Sequence, residues 1–197
     1  MAINGKIGGF DIGVERASTG AHGPVIRTDA IDAGTDTYPV GLIMADGGAG
    51  KAVPYAAATA EAVGTGDATA ATFTATLALA PAQPGALAVT DGVETFADDG
   101  HGRLTGDAGG SGWIDYKSGS LSVTFAAAPA EDAAITAAYG RKIAGVLDEA
   151  VDASHATSVN LIVHGTVKSA LLKANIAGDA PSGSLLRTLR ELGVYPV

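Results

Sequence analysis

The sequence has no cysteine among its 197 residues, which excludes disulfide bonds, thiolate metal sites and a cysteine nucleophile. Aromatic residues are only 5% of the chain, and no stretch approaches the roughly 18 apolar residues of a membrane-spanning helix. Basic residues are also few, with 12 Lys and Arg against 21 Asp and Glu, and a net charge of −9 repels phosphate backbones. We therefore expect no contact with membranes or nucleic acids, and the first six residues lack a signal-peptide pattern.

Glycine and alanine are abundant, and the acidic charge lies mostly in one block. Residues 64–139 contain nine acidic and two basic residues, a net charge of −7, whereas the remainder of the chain carries −2. A segment that is acidic, rich in small residues and nearly free of Lys and Arg is typical of a separate module. We interpret 64–139 as an inserted unit that faces solvent around its own small core.

Short apolar alternations within this block predict six strands separated by turns, which is typical of a small antiparallel sandwich. Residues 56–63 are interpreted as a connector and 98–112 as a loop, because neither stretch has a sustained apolar period. The predicted strands span 72–79, 86–90, 94–97, 113–116, 120–125 and 133–139.

The flanking segments predict a second β-rich unit with a short helix at its end. Residues 40–44 and 51–55 form a predicted hairpin, a further strand is expected over 143–147, and 158–164 and 165–172 are expected to pair as a second hairpin. Leucines at helical spacing predict a C-terminal helix capped by Asp179 or Ser184 and ended by Gly193. The predicted fold class is therefore mainly β with a short C-terminal helix, in which a small β-rich domain is interrupted by an inserted antiparallel β-sandwich.

These boundaries divide the chain into three parts. Residues 1–37 are interpreted as an N-terminal arm that orders on a partner, although an extended segment packed on its own domain fits the sequence as well. Residues 38–63 and 140–197 form a discontinuous main domain, and 64–139 form the inserted knob.

No constellation of residues indicates catalysis, so we expect no enzyme and no cofactor. His155 follows Ser154 and lies near Asp152, but sequence neighbours do not make a catalytic triad. The pair Gly50-Lys51 lacks the remaining positions of a phosphate-binding loop.

Two features of the knob leave alternatives open. The acidic residues Asp98, Asp99 and Asp107 are compatible with a loose cation site, although solvated turns are the default interpretation and we assign no metal site. Trp113 is expected to be buried, because short strands need their large side chains for the core; its exposure would favour stacking on a sugar.

The order of these pieces resembles the lambda-like head decoration, or capsid-stabilising, proteins of tailed phages. The resemblance rests on the hairpin over 40–55, on Ile143-Ala-Gly-Val-Leu147 with its acidic turn, on His164-Gly-Thr-Val167 and on the closing segment over 186–193. It covers about half of the chain. Residues 64–139 depart from the family and look like a small β-module that recurs in phage structural proteins.

The resemblance implies a mechanical role on the outer surface of a virion. The expected partners are the major capsid protein and two further copies of this chain, bound as a trimer at local three-fold axes of the expanded head. An arm that adds backbone hydrogen bonds to a capsid strand is implied for residues 1–37. The apolar candidates for contact with the capsid are Ile7, Phe10, Ile12, Val25 and Ile26.

Two other functions compete with capsid decoration at this stage. A tail or baseplate adaptor carrying the same β-module would be present in few copies per particle. A secreted carbohydrate-binding or adhesion protein is the other alternative. Contact between the knob and a host surface is compatible with each of these three functions.

Overall fold

The computed structural model describes residues 15–197, and 45% of the structure is strand and 7% helix. The predicted fold class, mainly β with one short C-terminal helix, is confirmed. A 3-10 helix covers Ser169–Leu171. The other elements, in chain order, are β1 (Val25–Ala30), β2 (Thr37–Tyr38), β3 (Ile43–Asp46), β4 (Ala52–Pro54), β5 (Ala57–Thr65), β6 (Thr72–Thr76), β7 (Ala88–Thr90), β8 (Thr95–Asp98), β9 (Arg103–Gly106), β10 (Ser111–Asp115), β11 (Ser120–Thr124), β12 (Ala134–Gly140), β13 (Ile143–Leu147), β14 (Val151–Asp152), β15 (Ser158–Val167), α1 (Gly183–Glu191) and β16 (Val194–Pro196).

The strands divide between two main sheets according to their place in the chain. The first sheet has the order β1-β15-β13-β3-β4, with β16 parallel to β15, and is built from both ends of the described chain. The second has the order β5-β12-β7-β8-β9-β10-β11-β6. It contains every strand from β5 to β12, so it is built from one continuous stretch of the chain. We call them the split sheet and the barrel, because the second sheet is nearly closed. β2 and β14 form a separate two-stranded ribbon.

The barrel encloses an aromatic and aliphatic core, as its alternating strands require. Phe125 packs edge-to-face against Phe73 and Phe96, with ring centroids 5.9 and 5.0 Å apart. The buried Glu94 carboxylate accepts hydrogen bonds from the backbone N–H groups of Gly110 and Ala126 at 2.6 and 2.8 Å. Because both oxygens are satisfied, this charge ties separate strands together at low desolvation cost.

A side-chain bridge spans the seam between the first and last strands of the barrel sheet. Glu61 on β5 accepts hydrogen bonds from the Tyr139 hydroxyl and, at 2.8 Å, from the backbone N–H of Ala78. The same hydroxyl accepts one from the backbone N–H of Leu79 at 2.9 Å. Burial, together with the hydrogen bond to Glu61, raises the pKa of Tyr139 to about 12.

The central strands of the split sheet, β3, β13 and β15, are covered on both faces. Helix α1 packs Leu185 and Leu189 against one face, where Ile43, Val146 and Ile162 are also buried. The other face holds a separate cluster of buried residues, among them Leu42, Met44, Leu147, Leu161 and Ile31. A sheet covered on both sides needs apolar residues on both faces of its strands, which explains the continuous apolar runs in β3 and β13.

Three details differ from the sequence-based expectations. The predicted pair of strands over 158–164 and 165–172 is the single strand β15, which runs through Gly165. The predicted connector is the nine-residue strand β5, so the predicted boundary at residue 64 falls inside a strand. The predicted loop over 98–112 contains β9 and the start of β10. The alternation of large apolar residues is weak in both strands, because β5 has mostly small side chains and β9 has a single large apolar residue. Both segments are extended because they pair with neighbouring strands, β5 with β12 and β9 with β10.

The C-terminal helix starts at a different cap from those predicted. The side chain of Ser182, and not that of Asp179 or Ser184, accepts the hydrogen bond from the backbone N–H of Leu185. Gly193 ends the helix with a φ of 89°, as expected for glycine in that position. The last residues then form β16 against β15.

The chain enters and leaves the barrel at adjacent points. The backbone N–H of Arg141 donates to the carbonyl of Ala56 at 3.0 Å, and that of Lys142 donates to the carbonyl of Pro81 at 2.8 Å. Gln83 accepts a hydrogen bond from the backbone N–H of Ile143 at 3.0 Å. The barrel is thus joined to the split sheet at neighbouring chain crossings, as an insertion into one loop requires.

Candidate functional site

The predicted capsid-contact residues fall into two groups. Ile7, Phe10 and Ile12 lie outside the described residues. Val25 and Ile26 lie at the start of β1 and are 54% and 40% exposed, which is unusual for adjacent large apolar residues in a strand. These two side chains are therefore available to a partner in the described structure.

β1 is the terminal strand of the split sheet. It pairs antiparallel with β15 from Val25 opposite His164 to Ala30 opposite Ser158. Five of its six residues are exposed, so neither face of the strand is covered. A terminal strand presents backbone N–H and C=O groups on its outer side that another strand can pair with. At the end of β1 this side is already occupied, because Ala30 forms a parallel bridge with Lys51. Residues 25–30 are thus already ordered against the split sheet.

A buried carboxylate holds the segment before β1. Asp148, 1% exposed, accepts a hydrogen bond from Arg16 Nη1 at 2.7 Å and another from the backbone N–H of Ser18 at 3.0 Å. Arg16 Nη2 also lies 2.9 Å from Glu149. Ala17 between them is fully buried. The acidic turn at 148–152 was recognised in the sequence, but its arginine partner lies 132 positions away and no local pattern links the two.

Aromatic rings cluster where this segment meets the end of β15. The imidazoles of His22 and His164 pack edge-to-face with centroids 5.3 Å apart, and the Tyr195 ring lies 6.2 Å from His164. The backbone N–H of Thr19 donates to the carbonyl of Thr166 at 3.1 Å. The cluster positions the chain immediately before the exposed residues of β1.

His155, Ser154 and Asp152 form a turn and lack the geometry of a catalytic triad. Ser154 Oγ and Asp152 Oδ2 both lie near His155 Nδ1, at 2.7 and 2.9 Å, whereas a triad places the nucleophile and the acid on different ring nitrogens. Hydrogen bonds from Ser154 and His155 lower the pKa of Asp152 to about 2. These three residues therefore form a solvent-exposed turn that is closed by hydrogen bonds to Asp152.

The three candidate cation ligands each accept hydrogen bonds from different groups of the protein. Asp98 accepts hydrogen bonds from the Tyr116 hydroxyl and the backbone of Gly85 and Gly100, at 2.5, 2.7 and 2.9 Å. Asp99 accepts from the backbone of His101, which lowers its pKa, and Asp107 accepts from Thr95. Across residues 15–197, no three acidic or histidine side chains come together as metal ligands.

Trp113 is exposed, contrary to the expectation that it is buried. Its neighbour Ile114 points into the barrel at 5% exposure, and strand alternation turns Trp113 outward at 51%. The expectation failed because phenylalanines and aliphatic residues from other strands already fill the core. The alternation of Ile114 against Trp113 and Asp115 was the signal that would have shown it.

An open cleft of about 800 Å³ separates the barrel from helix α1. Tyr55, Gln83, Asp179 and Arg187 are among its polar lining residues, and Ala57, Ala88, Ile143 and Leu185 contribute apolar surface. Burial raises the pKa of Tyr55. The lining has no convergent set of titratable groups that indicates a reaction.

Comparison of the chain with protein-family models, curated proteins and solved structures found no match in any of the three. No helix within residues 15–197 is both long enough and apolar enough to cross a membrane.

Proposed function

We propose that this chain is a phage capsid decoration protein that binds the outer surface of the expanded head and stabilises the shell against internal pressure. The observation that carries the proposal is β1, a terminal strand with both faces uncovered and with Val25 and Ile26 exposed. This is the geometry that strand addition uses, in which backbone hydrogen bonds supply affinity and side chains supply specificity.

The remaining charge distribution supports a protein partner for the split sheet. Outside residues 57–140 the chain has eleven acidic and ten basic residues, so the part that carries β1 is close to neutral. The barrel carries ten acidic and two basic residues, a net charge of −8. Docking through the near-neutral part avoids the repulsion that the barrel would meet at an acidic surface.

In this proposal three copies of the chain surround each local three-fold axis, and each split sheet bridges neighbouring major capsid subunits. Each added strand contributes several backbone hydrogen bonds, worth about 0.5–1.5 kcal/mol apiece after exchange with water. Because the same contact is repeated at every three-fold axis of the closed shell, many weak contacts together resist expansion of the shell under internal pressure. The barrel then projects as a knob that takes no part in shell binding.

The first test is the molar ratio of this chain to the major capsid protein in purified virions, measured by quantitative mass spectrometry. A ratio near unity supports decoration, because a lattice protein must match the copy number of its sites. A ratio of about one to a hundred contradicts decoration and favours a tail or baseplate adaptor. Absence from particles contradicts both assignments.

A second test addresses β1 directly. Heads stripped of the protein are incubated with the wild type, with the double variant Val25→Ser/Ile26→Ser, and with Val93→Ser. Val93 is 87% exposed and lies in the turn between β7 and β8 of the barrel, so it controls for loss of exposed apolar surface elsewhere. The β1 variant should lower the affinity for heads about thirtyfold, since two anchors of roughly 1 kcal/mol each are lost, and occupancy is compared at subsaturating protein. Equal occupancy for all three proteins would exclude β1 as the binding edge.

A further inference from the structure

We propose that the outer face of the barrel around Trp113 is a binding site for a neutral saccharide. Trp113 is the only tryptophan of the chain, and half of its side chain is exposed. Indole faces bind the C–H faces of sugar rings, and the indole N–H remains free to donate a hydrogen bond. This inference goes beyond capsid decoration, since it concerns a different sheet and a different ligand.

The strand register fixes what surrounds the indole. Trp113 lies directly opposite Arg103 on β9 and Ser122 on β11, and Ser122 lies opposite Thr74 on β6. Strands are spaced about 4.8 Å apart, so this row of four residues extends roughly 14 Å, about two to three pyranose rings. The platform is thus one aromatic side chain within a polar row.

Hydroxyl groups dominate the rest of this face. Eight Ser and Thr side chains lie on the same side of the four strands as Trp113, and all of them are exposed or half-buried: Thr72, Thr74, Thr76, Thr105, Ser111, Ser120, Ser122 and Thr124. Thr72 and Thr124 pair with each other at 2.9 Å. Hydroxyls both donate and accept, so they match the hydroxyls of a saccharide in any orientation.

Charge restricts the class of ligand to one that is not a polyanion. The barrel carries −8 and its only basic residues are Arg103 and Lys117, which disfavours polyanions such as nucleic acids and acidic glycans. An apolar protein partner is disfavoured for a different reason, since it would bury these hydroxyls without hydrogen-bond partners. A neutral saccharide meets neither penalty, and Arg103, directly opposite Trp113, supplies guanidinium donors on the same face.

The single tryptophan makes the test specific to this site. Fluorescence of the full-length protein, excited where only indole absorbs, reports Trp113 alone, and neutral acrylamide measures its accessibility. The probes are an array of neutral glycans covering the common pyranoses in both linkages, followed by free maltotriose, cellotriose and chitotriose, with sialyllactose as the acidic comparison. We expect the protein to bind at least one neutral glycan on the array. The same glycan, free in solution, should reduce quenching of Trp113 fluorescence by acrylamide in a saturable manner.

Variants separate stacking from loss of fold. Trp113→Ala should weaken that binding at least about tenfold, and Trp113→Tyr should restore part of it, because a smaller ring still stacks. Val93→Ala, which removes a more exposed apolar side chain of the same barrel, should bind as the wild type does. The proposal is overturned if no neutral glycan binds, if sialyllactose alone binds, or if binding survives Trp113→Ala in a folded protein.

Discussion

The link between Arg16 and Asp148 should couple the N-terminal segment to the split sheet by a measurable free energy. Arg16→Ala removes a charge-assisted hydrogen bond of 2.7 Å from a carboxylate that is 1% exposed and leaves it with the N–H of Ser18. Such bonds contribute about 1.5–3 kcal/mol. Since the Arg16 side chain is 54% exposed, solvent screening lowers the expectation to about 1.5–2 kcal/mol.

Asp148→Ala should cost more, about 2–4 kcal/mol, because it also leaves the backbone N–H of Ser18 without its acceptor. In the Asp148→Ala background, Arg16→Ala should cost no more than about 0.5 kcal/mol, so the double-mutant cycle yields a coupling of about 1–2 kcal/mol. Arg187→Ala is the matched control. Its ion pair with Glu191 is exposed on both sides and should contribute about 0.5 kcal/mol or less.

Two measurements separate local from global effects. Urea unfolding of the four proteins of the cycle gives the coupling free energy. Hydrogen exchange at the amides of Ala17 and Lys168, which donate to Asp148 O and Ala17 O at 2.8 Å each, reports opening of this segment alone. A coupling below about 0.5 kcal/mol, with unchanged exchange at both amides in Arg16→Ala, would refute the anchoring role.

The remaining predictions concern titration and backbone strain. The pKa of Tyr139 is about 12 against an ordinary 10.0, so the stability that this hydroxyl contributes is complete below pH 10 and is lost as the pH rises toward 12. The free energy of unfolding, measured in urea over this pH range, should therefore fall less steeply for Tyr139→Phe than for the wild type. The pKa of Asp152 is about 2 against an ordinary 3.8, so the stability that this carboxylate contributes is present above pH 3.8 and is lost as the pH falls toward 2. The free energy of unfolding should therefore change less between pH 3.8 and pH 2 for Asp152→Asn than for the wild type. Gly41→Ala should cost more than about 3 kcal/mol, because its Cβ would lie 2.1 Å from the carbonyl oxygen of Leu171, whereas Gly48→Ala, also at positive φ but with open space, should cost about 1–2 kcal/mol in thermal unfolding.

Sequence reasoning succeeded where the signal was local. The hairpin of β3 and β4 was predictable because an apolar run, a glycine-rich turn and a returning strand follow one another within sixteen residues. Helix α1 was predictable from leucine spacing and its closing glycine. In both, neighbouring residues determine the local structure, and the distant strand β13 then pairs with β3.

It failed where distant strands decide. β5 pairs with β12 across more than sixty residues, and no alternation of large side chains announces it. The exposure of Trp113 depends on how many other side chains fill the barrel, which is a property of the whole fold. The open edge at β1 likewise depends on which strand ends the sheet, and an edge position leaves no signal in the strand's own sequence.

The acidic charge of the barrel has a structural origin. Eight of its ten acidic side chains accept hydrogen bonds from backbone N–H groups: Glu61, Asp67, Asp91, Glu94, Asp98, Asp99, Asp107 and Asp115. A barrel of short strands has many turns, and aspartate closes turns by accepting the N–H two residues on. Five of the eight accept in this way: Asp67, Asp91, Asp98, Asp99 and Asp115. Turns therefore account for half of the acidic residues of the barrel, and the net charge of −8 restricts which partners bind without identifying one. Recognition must come from the few residues that turn chemistry does not require, and on the outer face of the barrel the largest of these is Trp113.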